Sequence, residues 1–254
     1  MKLENKRVLI TGASSGIGFE LVTAFLQVSG VQVTGVARNI EPLENIYSDC
    51  LYALSLDIAV PENIEFMLDE AYKKMGGIDI VICCAGFAYY EKFENCDFGH
   101  IRRIYETNII SPLYTLQKFL QKTSGRISFV ALSSALGKFG LAGYALYCST
   151  KYALNGFHDS FRFEPHERLH FMTVYPIGVK TNFWERIHTD MPLPRPLQSA
   201  DVTAKAIING LKKEKQRVYT SKAFRLIWGM NRALPFLLWS YQKLHQSLFI
   251  KWLK

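Results

Sequence analysis

The sequence predicts an α/β fold: a doubly wound parallel sheet of about seven strands, with helices on both faces and a helical C-terminal extension. Short apolar runs alternate with amphipathic segments at the spacing of repeated strand–helix units. A glycine-rich turn joins the first run to a helix. The 254 residues, 49% of them hydrophobic, are enough for one large core. Right-handed crossovers between parallel strands place helices on both faces of the sheet.

The expected elements follow in chain order. Strands are expected at RVLITG (7–12), VQVTGVAR (31–38), LYALSLD (51–57), IDIVICCAG (78–86), GRISFVALSS (125–134), LHFMTVYP (169–176) and RVYT (217–220). Helices are expected over 19–28, 61–75, 100–121, 144–163 and 200–213. Pro61 suits a first helical turn, whereas Pro112 should bend or break the 100–121 helix. Because ligands of such sheets bind beyond the carboxyl ends of the strands, the chemistry should lie there.

The turn after the first strand contains Gly12, Gly16 and Gly18, spaced as GxxxGxG. Glycines allow a tight turn and a close backbone approach to a pyrophosphate, and the helix N-terminus offers free N–H groups and a positive dipole end. The alternative is a plain strand–helix turn. Its place after the first strand and before a helix favours dinucleotide binding.

The second strand ends at Arg38 with no acidic residue beside it. An acid at this position binds a free ribose 2′-hydroxyl, whereas an arginine pairs with a 2′-phosphate. The sequence therefore favours NADP(H) over NAD(H), with a solvated loop cation as the alternative for Arg38. Asp57 ends the third strand, where it either caps the adenine edge or caps its own loop.

Tyr147 and Lys151 are one helical turn apart in YCSTK, so their side chains share a helix face. Tyr144 shares that face too, but lies about 10 Å from Lys151 along the axis. A free tyrosine has a pKa near 10, and a nearby ammonium lowers it. Tyr147 is therefore expected to act as a general acid toward a carbonyl and a general base toward an alcohol.

Taken together, these motifs resemble the short-chain dehydrogenase/reductase family in its compact, single-domain, NADP(H)-type form. The resemblance covers about residues 5–221 and rests on TGASSGIG (11–18), CCAG (83–86), TNIIS, SSALG, YCSTK and PIGVKT (176–181). It implies a Rossmann-like catalytic domain over 1–221, with 222–254 as a basic amphipathic helical extension of the same domain.

The resemblance also implies roles for individual residues. Ser134 precedes Tyr147 by thirteen residues and has Gly137 three residues on, which matches the family's catalytic serine and implies that it holds the substrate oxygen. Asn108 would hold a water in a proton relay to Lys151 through its backbone carbonyl, with helix capping as the alternative. The implied catalytic set is Asn108, Ser134, Tyr147 and Lys151. The implied cofactor-binding set is Gly12, Ser14, Ser15, Gly16, Ile17, Gly18, Arg38, Asp57, Ile58, Cys84, Ala85, Gly86, Tyr147, Lys151, Pro176, Ile177 and Thr181.

Two positions depart from the family pattern. Cys83 and Cys84 stand where the family usually has two asparagines, which removes amide hydrogen bonds around the cofactor. Ile177 follows Pro176 where the family usually has glycine, which narrows the wall beside the nicotinamide. Thr181 still matches the position that contacts the carboxamide.

Charge and cysteine content exclude other classes. The formal net charge is +8, but residues 222–254 carry six basic residues and no acid, so the charge belongs mainly to the tail and does not indicate nucleic-acid binding. The five cysteines have no CxxC or metal-ligand spacing, so structural thiols and no metal are expected. The N-terminus lacks a signal-peptide pattern, which favours the cytoplasm.

Two segments should shape the substrate site. Residues 182–198 contain three prolines and the pair Phe183–Trp184, and in the family this segment folds over the substrate. The tail repeats apolar residues at helical spacing, with Pro235 indicating two helices and its basic residues arguing against a membrane span. Its stripe either lies on a membrane surface, to which it would bind peripherally, or packs on its own domain or a second subunit. The stripe comprises Phe224, Ile227, Trp228, Leu234, Leu238, Tyr241, Leu244, Leu248 and Trp252.

The favoured function is hydride transfer between NADP(H) and a carbonyl or secondary alcohol on a small, lipophilic substrate. One alternative is a nucleotide-sugar epimerase or dehydratase, which generally needs a larger substrate domain. Another is a non-catalytic NADP(H)-binding regulator, which has no need for the complete Ser134–Tyr147–Lys151 set. By resemblance, the helices around 108–123 and 144–163 pair subunits, so a homodimer or homotetramer is expected.

Overall fold

The computed structural model describes residues 1–164, 166–184, 195–231 and 236–253, with Leu237 described through its backbone alone. Seven parallel strands form the main sheet, in the order β3-β2-β1-β4-β5-β6-β9. A separate parallel pair, β7 with β8, was not expected from the sequence. The strands are β1 Arg7–Thr11, β2 Gln32–Ala37, β3 Leu51–Ser55, β4 Ile80–Cys83, β5 Ile127–Leu132, β6 Leu169–Tyr175, β7 Gly178–Lys180, β8 Leu197–Ser199 and β9 Arg217–Tyr219.

Helices cover both faces of the main sheet, so the predicted doubly wound α/β fold is confirmed. They are α1 Gly16–Leu26, α2 Glu41–Glu44, α3 Pro61–Met75, α4 Phe98–Tyr105, α5 Ser111–Lys122, α6 Ala145–Phe161, α7 Ala200–Lys212, α8 Lys222–Met230 and α9 Phe236–Trp252. Alternate strand residues serve opposite faces: Val8 and Ile10 pack in the cluster under α1 and α7, while Leu9 packs in the one under α3, α5 and α6. Both faces of the sheet are therefore covered by helices, as is usual for an all-parallel sheet.

The strand order reverses at β1, which pairs with β2 on one side and β4 on the other. Thr11, at the carboxyl end of β1, is level with Val36 of β2 and Cys83 of β4. This is the topological switch point, where open α/β sheets form a crevice for ligands. The glycine turn and the CCAG segment both leave the sheet there.

The helical region around Asn108 runs on through Pro112, so the helix is not broken there. Helices α4 and α5 are joined without interruption by a π-helical turn over Glu106–Ile110, in which the Ser111 N–H donates to the Glu106 carbonyl. Pro112 has no N–H, so the α-helical bond to the Asn108 carbonyl four residues earlier cannot form. The wider π turn accommodates this missing donor without ending the helix.

The tail packs on its own domain through one side. Phe224 of α8 and Leu238 of α9 are buried in a third apolar cluster with Tyr90, Phe139 and Tyr144. Trp228, Tyr241 and Trp252 also lie against this cluster, whereas Ile227 and Leu244 are exposed and Leu248 is half-buried. Two tail helices agree with the prediction, although Leu234 and Pro235 lie outside the described residues. Among the described helices, none is long and apolar enough to cross a bilayer.

Candidate active site

The glycine turn brings three of the predicted cofactor segments into contact. Gly12 has φ +68°, and a Cβ there would lie 2.7 Å from the Ala85 nitrogen. Gly16 has φ +54°, and its Cβ would lie 2.9 Å from Thr181 Cγ2. A Cβ on Gly18 would lie 2.2 Å from the Gly12 carbonyl oxygen. Side chains are therefore excluded at all three glycines, so at these positions the turn presents only backbone groups to a ligand.

Helix α1 begins directly from this turn. Ser15 occupies the N-cap position in an extended conformation, but its side chain caps no N–H group, and the first turn contains no acid. Ser14 and Ile17 beside it are half-buried. The N–H groups and positive dipole end of α1 thus have no competing side-chain anion, so the residues present fit the diphosphate of a dinucleotide.

At the predicted adenosine end, Arg38 is exposed just after β2, and Ile58 is buried in the core. Asp57 accepts hydrogen bonds from the Ala59 N–H at 3.0 Å and from Arg103 Nη2 at 2.6 Å. Burial alone would raise the pKa of Asp57, but the Ala59 N–H and the Arg103 guanidinium outweigh it and lower the pKa. The structure thus has Asp57 capping its own loop. Arg103, which no sequence pattern marked, forms an ion pair with Asp57 at this end of the site.

Ser134, Tyr147 and Lys151 meet at the carboxyl end of β5. Ser134 follows the strand, is buried, and accepts a hydrogen bond from the Leu136 N–H at 3.1 Å. Its hydroxyl lies close enough to the Tyr147 phenol to lower the phenol's pKa. Lys151 Nζ donates to the Leu132 carbonyl at 2.9 Å and lies 5.5 Å from the centroid of the Tyr147 ring.

The expected influence of Lys151 on Tyr147 requires correction. Burial raises the pKa of Tyr147 above its ordinary value, and Ser134 opposes this only in part. The same burial lowers the pKa of Lys151 to about 8. Removal from water disfavours the charged form of each group. Lys151 Nζ donates a hydrogen bond to the Leu132 carbonyl. Tyr144 is fully buried in the third apolar cluster, so it is a core residue.

Asn108 is buried at the π turn, where its side chain ties three elements together. Its amide nitrogen donates to the Phe87 carbonyl at 2.9 Å and to Thr150 Oγ1 at 3.1 Å, and its oxygen accepts from the Phe87 N–H at 3.1 Å. A Cβ on Gly86 would lie 3.1 Å from the Asn108 oxygen and 3.6 Å from Lys151 Nζ. The helix-capping alternative does not apply, because Asn108 lies inside the π turn.

A second hydrogen-bonded group, missed in the sequence analysis, fixes the backbone behind Lys151. Ser133 Oγ donates to the Lys151 carbonyl at 3.0 Å and contacts Asn155 Oδ1 at 3.2 Å. Asn155 in turn donates to the Gly137 carbonyl. A Cβ on Gly137 would lie 2.6 Å from both Ser133 Oγ and Asn155 Nδ2. The Ser133–Ser134 pair and the helical spacing of Lys151 and Asn155 were the available signals, but only the fold joins them.

The two departures from the family pattern are accommodated within the site. Cys83 ends β4, and burial raises its pKa to about 12, while burial also raises the pKa of Cys84. Both thiols therefore stay protonated near neutral pH. The Pro176 carbonyl accepts a hydrogen bond from the Ala135 N–H at 2.7 Å, and Ile177 packs in the cluster that contains Tyr147.

An apolar wall stands beside Tyr147. The Phe183 ring lies 5.9 Å from the Tyr147 ring, and Trp184 Nε1 donates to the Val179 carbonyl at 2.6 Å. Both aromatic residues thus pack on the domain. Residues 185–194 of the expected flap lie outside the described residues. Trp228 and Tyr241 of the tail belong to the same apolar cluster as Tyr147.

One group of metal-ligand type occurs in the described part of the chain. Ligand atoms of Glu91, Cys96 and His100 lie within 4.8 Å of one another. His100 Nδ1 is 2.9 Å from a Glu91 carboxylate oxygen, and its ring stacks on Tyr89 at 4.0 Å. Through these contacts the group ties the loop after β4 to helix α4.

Comparison with known proteins identifies the family to which this chain is similar. The family model described as short chain dehydrogenase matches residues 6–192. A relative from Danio rerio, 3-dehydrosphinganine reductase, is 28% identical over 215 residues, which is 78% of this chain but only 64% of that protein.

Solved structures share the fold. A short-chain dehydrogenase/reductase from Burkholderia phymatum in complex with NAD has a TM-score of 0.82 at 12% identity, covering 94% of this chain and 97% of the other. A short-chain dehydrogenase from Burkholderia cenocepacia in complex with NADP has a TM-score of 0.80 at 21% identity, with the same coverage. At these identities the likeness establishes the fold alone.

Proposed function

The chain belongs to the short-chain dehydrogenase family of oxidoreductases, and from that premise we propose that it transfers hydride between NADP(H) and a carbonyl or secondary alcohol of a lipophilic substrate. The observation that carries the proposal is the meeting of Ser134, Tyr147 and Lys151 next to Gly86, whose neighbour Ala85 packs on the glycine turn. Residues 1–221 would form the catalytic domain, and 222–254 its helical extension.

The choice of NADP(H) is supported by charge at the end of β2. Arg38 is exposed there with no acid beside it, and Arg103 balances Asp57. A 2′-phosphate would meet a local excess of positive charge, which favours it over a free hydroxyl. The glycine turn and the uncapped start of α1 would hold the diphosphate, with Ala85 and Thr181 closing the other side.

The proposed chemistry divides between cofactor and protein. When bound, a nicotinamide dinucleotide supplies the hydride to the carbonyl carbon. Tyr147 donates its phenolic proton to the carbonyl oxygen, so that hydride and proton together convert C=O into CH–OH. Ser134 donates a hydrogen bond to that oxygen as negative charge develops on it. Oxidation of an alcohol uses the same groups in reverse.

Lys151 would serve the proton balance at Tyr147. Its pKa of about 8 lets it hold or release a proton near neutral pH. Asn108 holds the π turn and the Phe87 loop in register beside it, and the missing donor at Pro112 favours an open Asn108 carbonyl that can bind a relay water. The resulting path would return a proton from solvent to the phenolate.

The substrate class is inferred from the wall around Tyr147. The Phe183 ring contacts the Tyr147 ring, and Ile177, Trp228 and Tyr241 belong to the same apolar cluster. The site therefore borders apolar side chains, which suits a substrate with a large hydrocarbon portion. The name of the Danio rerio relative, 3-dehydrosphinganine reductase, points in the same direction.

We also propose a homodimer or homotetramer. Exposed apolar residues on the two helices implicated by the family, Ile110 and Tyr152, support a contact between copies of this chain.

NADPH oxidation by purified protein over a carbonyl series, from small polar ketones to long-chain and steroidal ones, tests the proposal. We expect turnover that increases with apolar size, prefers NADPH to NADH, and falls at least a thousandfold in Tyr147→Phe. Tyr152→Phe, on the same helix but exposed, is the matched control and should retain activity. Tight NADPH binding with no turnover of any carbonyl would refute the reductase and favour a cofactor-binding regulator.

A further inference from the structure

The two tail helices carry exposed apolar side chains on the side facing away from the domain, interspersed on α9 with exposed polar residues. We call it the outer tail face. Trp239 is 58% exposed and Leu226 is 64% exposed, in contrast to the buried Phe224 and Leu238 on the inner side. Single exposed apolar side chains are ordinary, but a set on two successive helices is not. The outer tail face comprises Leu226, Ile227, Met230, Phe236, Trp239, Leu244, Ile250 and Leu253.

Helix α9 carries large apolar residues on two opposite sides, and exposed Lys243, Gln246 and Ser247 share the outer one with them. Leu238, Tyr241 and Trp252 are spaced at helical intervals and pack on the domain. Phe236 and Trp239, on the opposite side, are exposed, and Ile250 continues their line toward the end of the helix. The exposed apolar residues of this second side do not pack on the described part of the domain, so they are available to an external surface.

The charges on the same helices identify that surface. Lys222, Arg225, Lys243 and Lys251 are exposed, and residues 222–254 contain no Asp or Glu. Among the described residues, no carboxylate forms an ion pair with these four cations. A second copy docking through this face would bring like charges together, whereas an anionic lipid surface would neutralise them.

We propose that the outer tail face lies in the interface of an anionic bilayer, with the apolar side chains inserted below the headgroups and the basic residues at the phosphate level. Such a helix lies in the plane of the membrane and does not span it. Trp239 is suited to this depth, because its ring is apolar and its N–H needs a polar partner. Lys243 lies 5.7 Å from the Trp239 ring centroid, so cation and aromatic ring would meet the headgroups together.

The inner side of the same helices connects this surface to the candidate active site. Trp228, Tyr241 and Trp252 share one apolar cluster with Tyr147 and Phe183. The apolar cluster under the tail therefore extends to the side chains beside Tyr147, which suits a substrate whose hydrocarbon portion comes from the bilayer. This second part rests on the proposed function, whereas binding of the tail to lipid does not.

Co-flotation of the full chain with vesicles tests the surface directly. We expect the protein to float with vesicles of phosphatidylcholine containing about 30% phosphatidylglycerol, and much less with phosphatidylcholine alone. The double variant Trp239→Glu with Ile250→Glu should lose at least 90% of the bound fraction. Phe66→Glu, at a 52% exposed aromatic position on α3, is the matched control and should float like the parent. The double variant and Phe66→Glu should have the same NADPH affinity and the same midpoint of thermal unfolding as the parent.

The electrostatic part has its own variant. Lys243→Gln with Lys251→Gln should weaken binding to the anionic vesicles about 30-fold, since each surface cation contributes about 1 kcal/mol. The loss should be largest at low ionic strength and shrink as salt is added. An equal affinity for neutral and anionic vesicles would overturn the assignment of the basic residues.

Four outcomes separate the possibilities. Failure of the folded parent to float with anionic vesicles would overturn the proposal. A dimer in sedimentation that Trp239→Glu dissociates, without vesicle binding, would assign the face to a second copy and overturn it as well. Flotation without any carbonyl turnover would uphold the tail surface and refute the proposed function. Acceleration of long-chain ketone reduction by vesicles, lost in the double variant, is expected if both are right.

Discussion

Replacing Gly12 by alanine tests the close packing on which the cofactor site depends. Gly12 has φ +68°, a conformation that costs an L-residue about 1–2 kcal/mol. The new Cβ would also lie 2.7 Å from the Ala85 nitrogen and 2.8 Å from its Cα, backbone atoms that cannot rotate away. Overpacking of this kind costs about 1–3 kcal/mol. The expected loss in free energy of unfolding is therefore about 2–5 kcal/mol.

Gly76→Ala provides the matched control for that prediction. Gly76 has φ +71°, but a Cβ there meets no atom within 4 Å, so only the conformational cost of about 1–2 kcal/mol applies. Urea unfolding gives both free energies, and fluorescence titration gives NADPH affinity. We expect Gly12→Ala to bind NADPH at least about tenfold more weakly, a loss of about 1.4 kcal/mol, and Gly76→Ala to bind normally. Equal destabilisation of the two variants with unchanged NADPH binding would refute the packing argument.

Two further predictions concern charge. Arg38→Asp should lower the ratio of kcat/KM for NADPH to kcat/KM for NADH by about 10- to 100-fold, since a charge-assisted hydrogen bond contributes about 1.5–3 kcal/mol. The control Arg162→Asp should leave this ratio unchanged. An unchanged ratio in Arg38→Asp would contradict the pairing of Arg38 with the 2′-phosphate. Burial lowers the pKa of His158 to about 4, so the folded state binds fewer protons than the unfolded one between pH 6.5 and 4, and stability is lost as the pH falls through that window. His158→Gln should make Tm less dependent on pH between 7 and 4 than His166→Gln does; the same acid sensitivity in both variants would disprove this.

Local patterns in the sequence were sufficient for much of the fold. Short apolar runs predicted all seven strands of the main sheet: the central ones are buried on both faces, and the regular alternation of strands with helices marks the edge ones. The four-residue spacing of Tyr147 and Lys151 placed both on one face of α6, and the glycine spacing located the turn at the switch point. Each of these features depends on residues close together in the chain.

Features that join distant parts of the chain were not predictable in this way. The Asp57–Arg103 pair spans 46 residues, and the Ser133–Asn155 contact joins the end of β5 to α6. The β7–β8 pair also escaped prediction, because its two three-residue strands are too short to form a pattern.

The sequence by itself determined which groups this protein can use: a glycine turn, a serine, a tyrosine and a lysine in family order, and a tail that is apolar and basic. Only the tertiary structure determined how burial shifts the pKa values of these groups. Burial raises the pKa of Tyr147, against the expectation from its lysine neighbour, because desolvation depends on every element packed around the site. It likewise decided which side of the tail covers the domain and which is exposed, since helical periodicity marks two apolar sides of α9 without saying what each one meets.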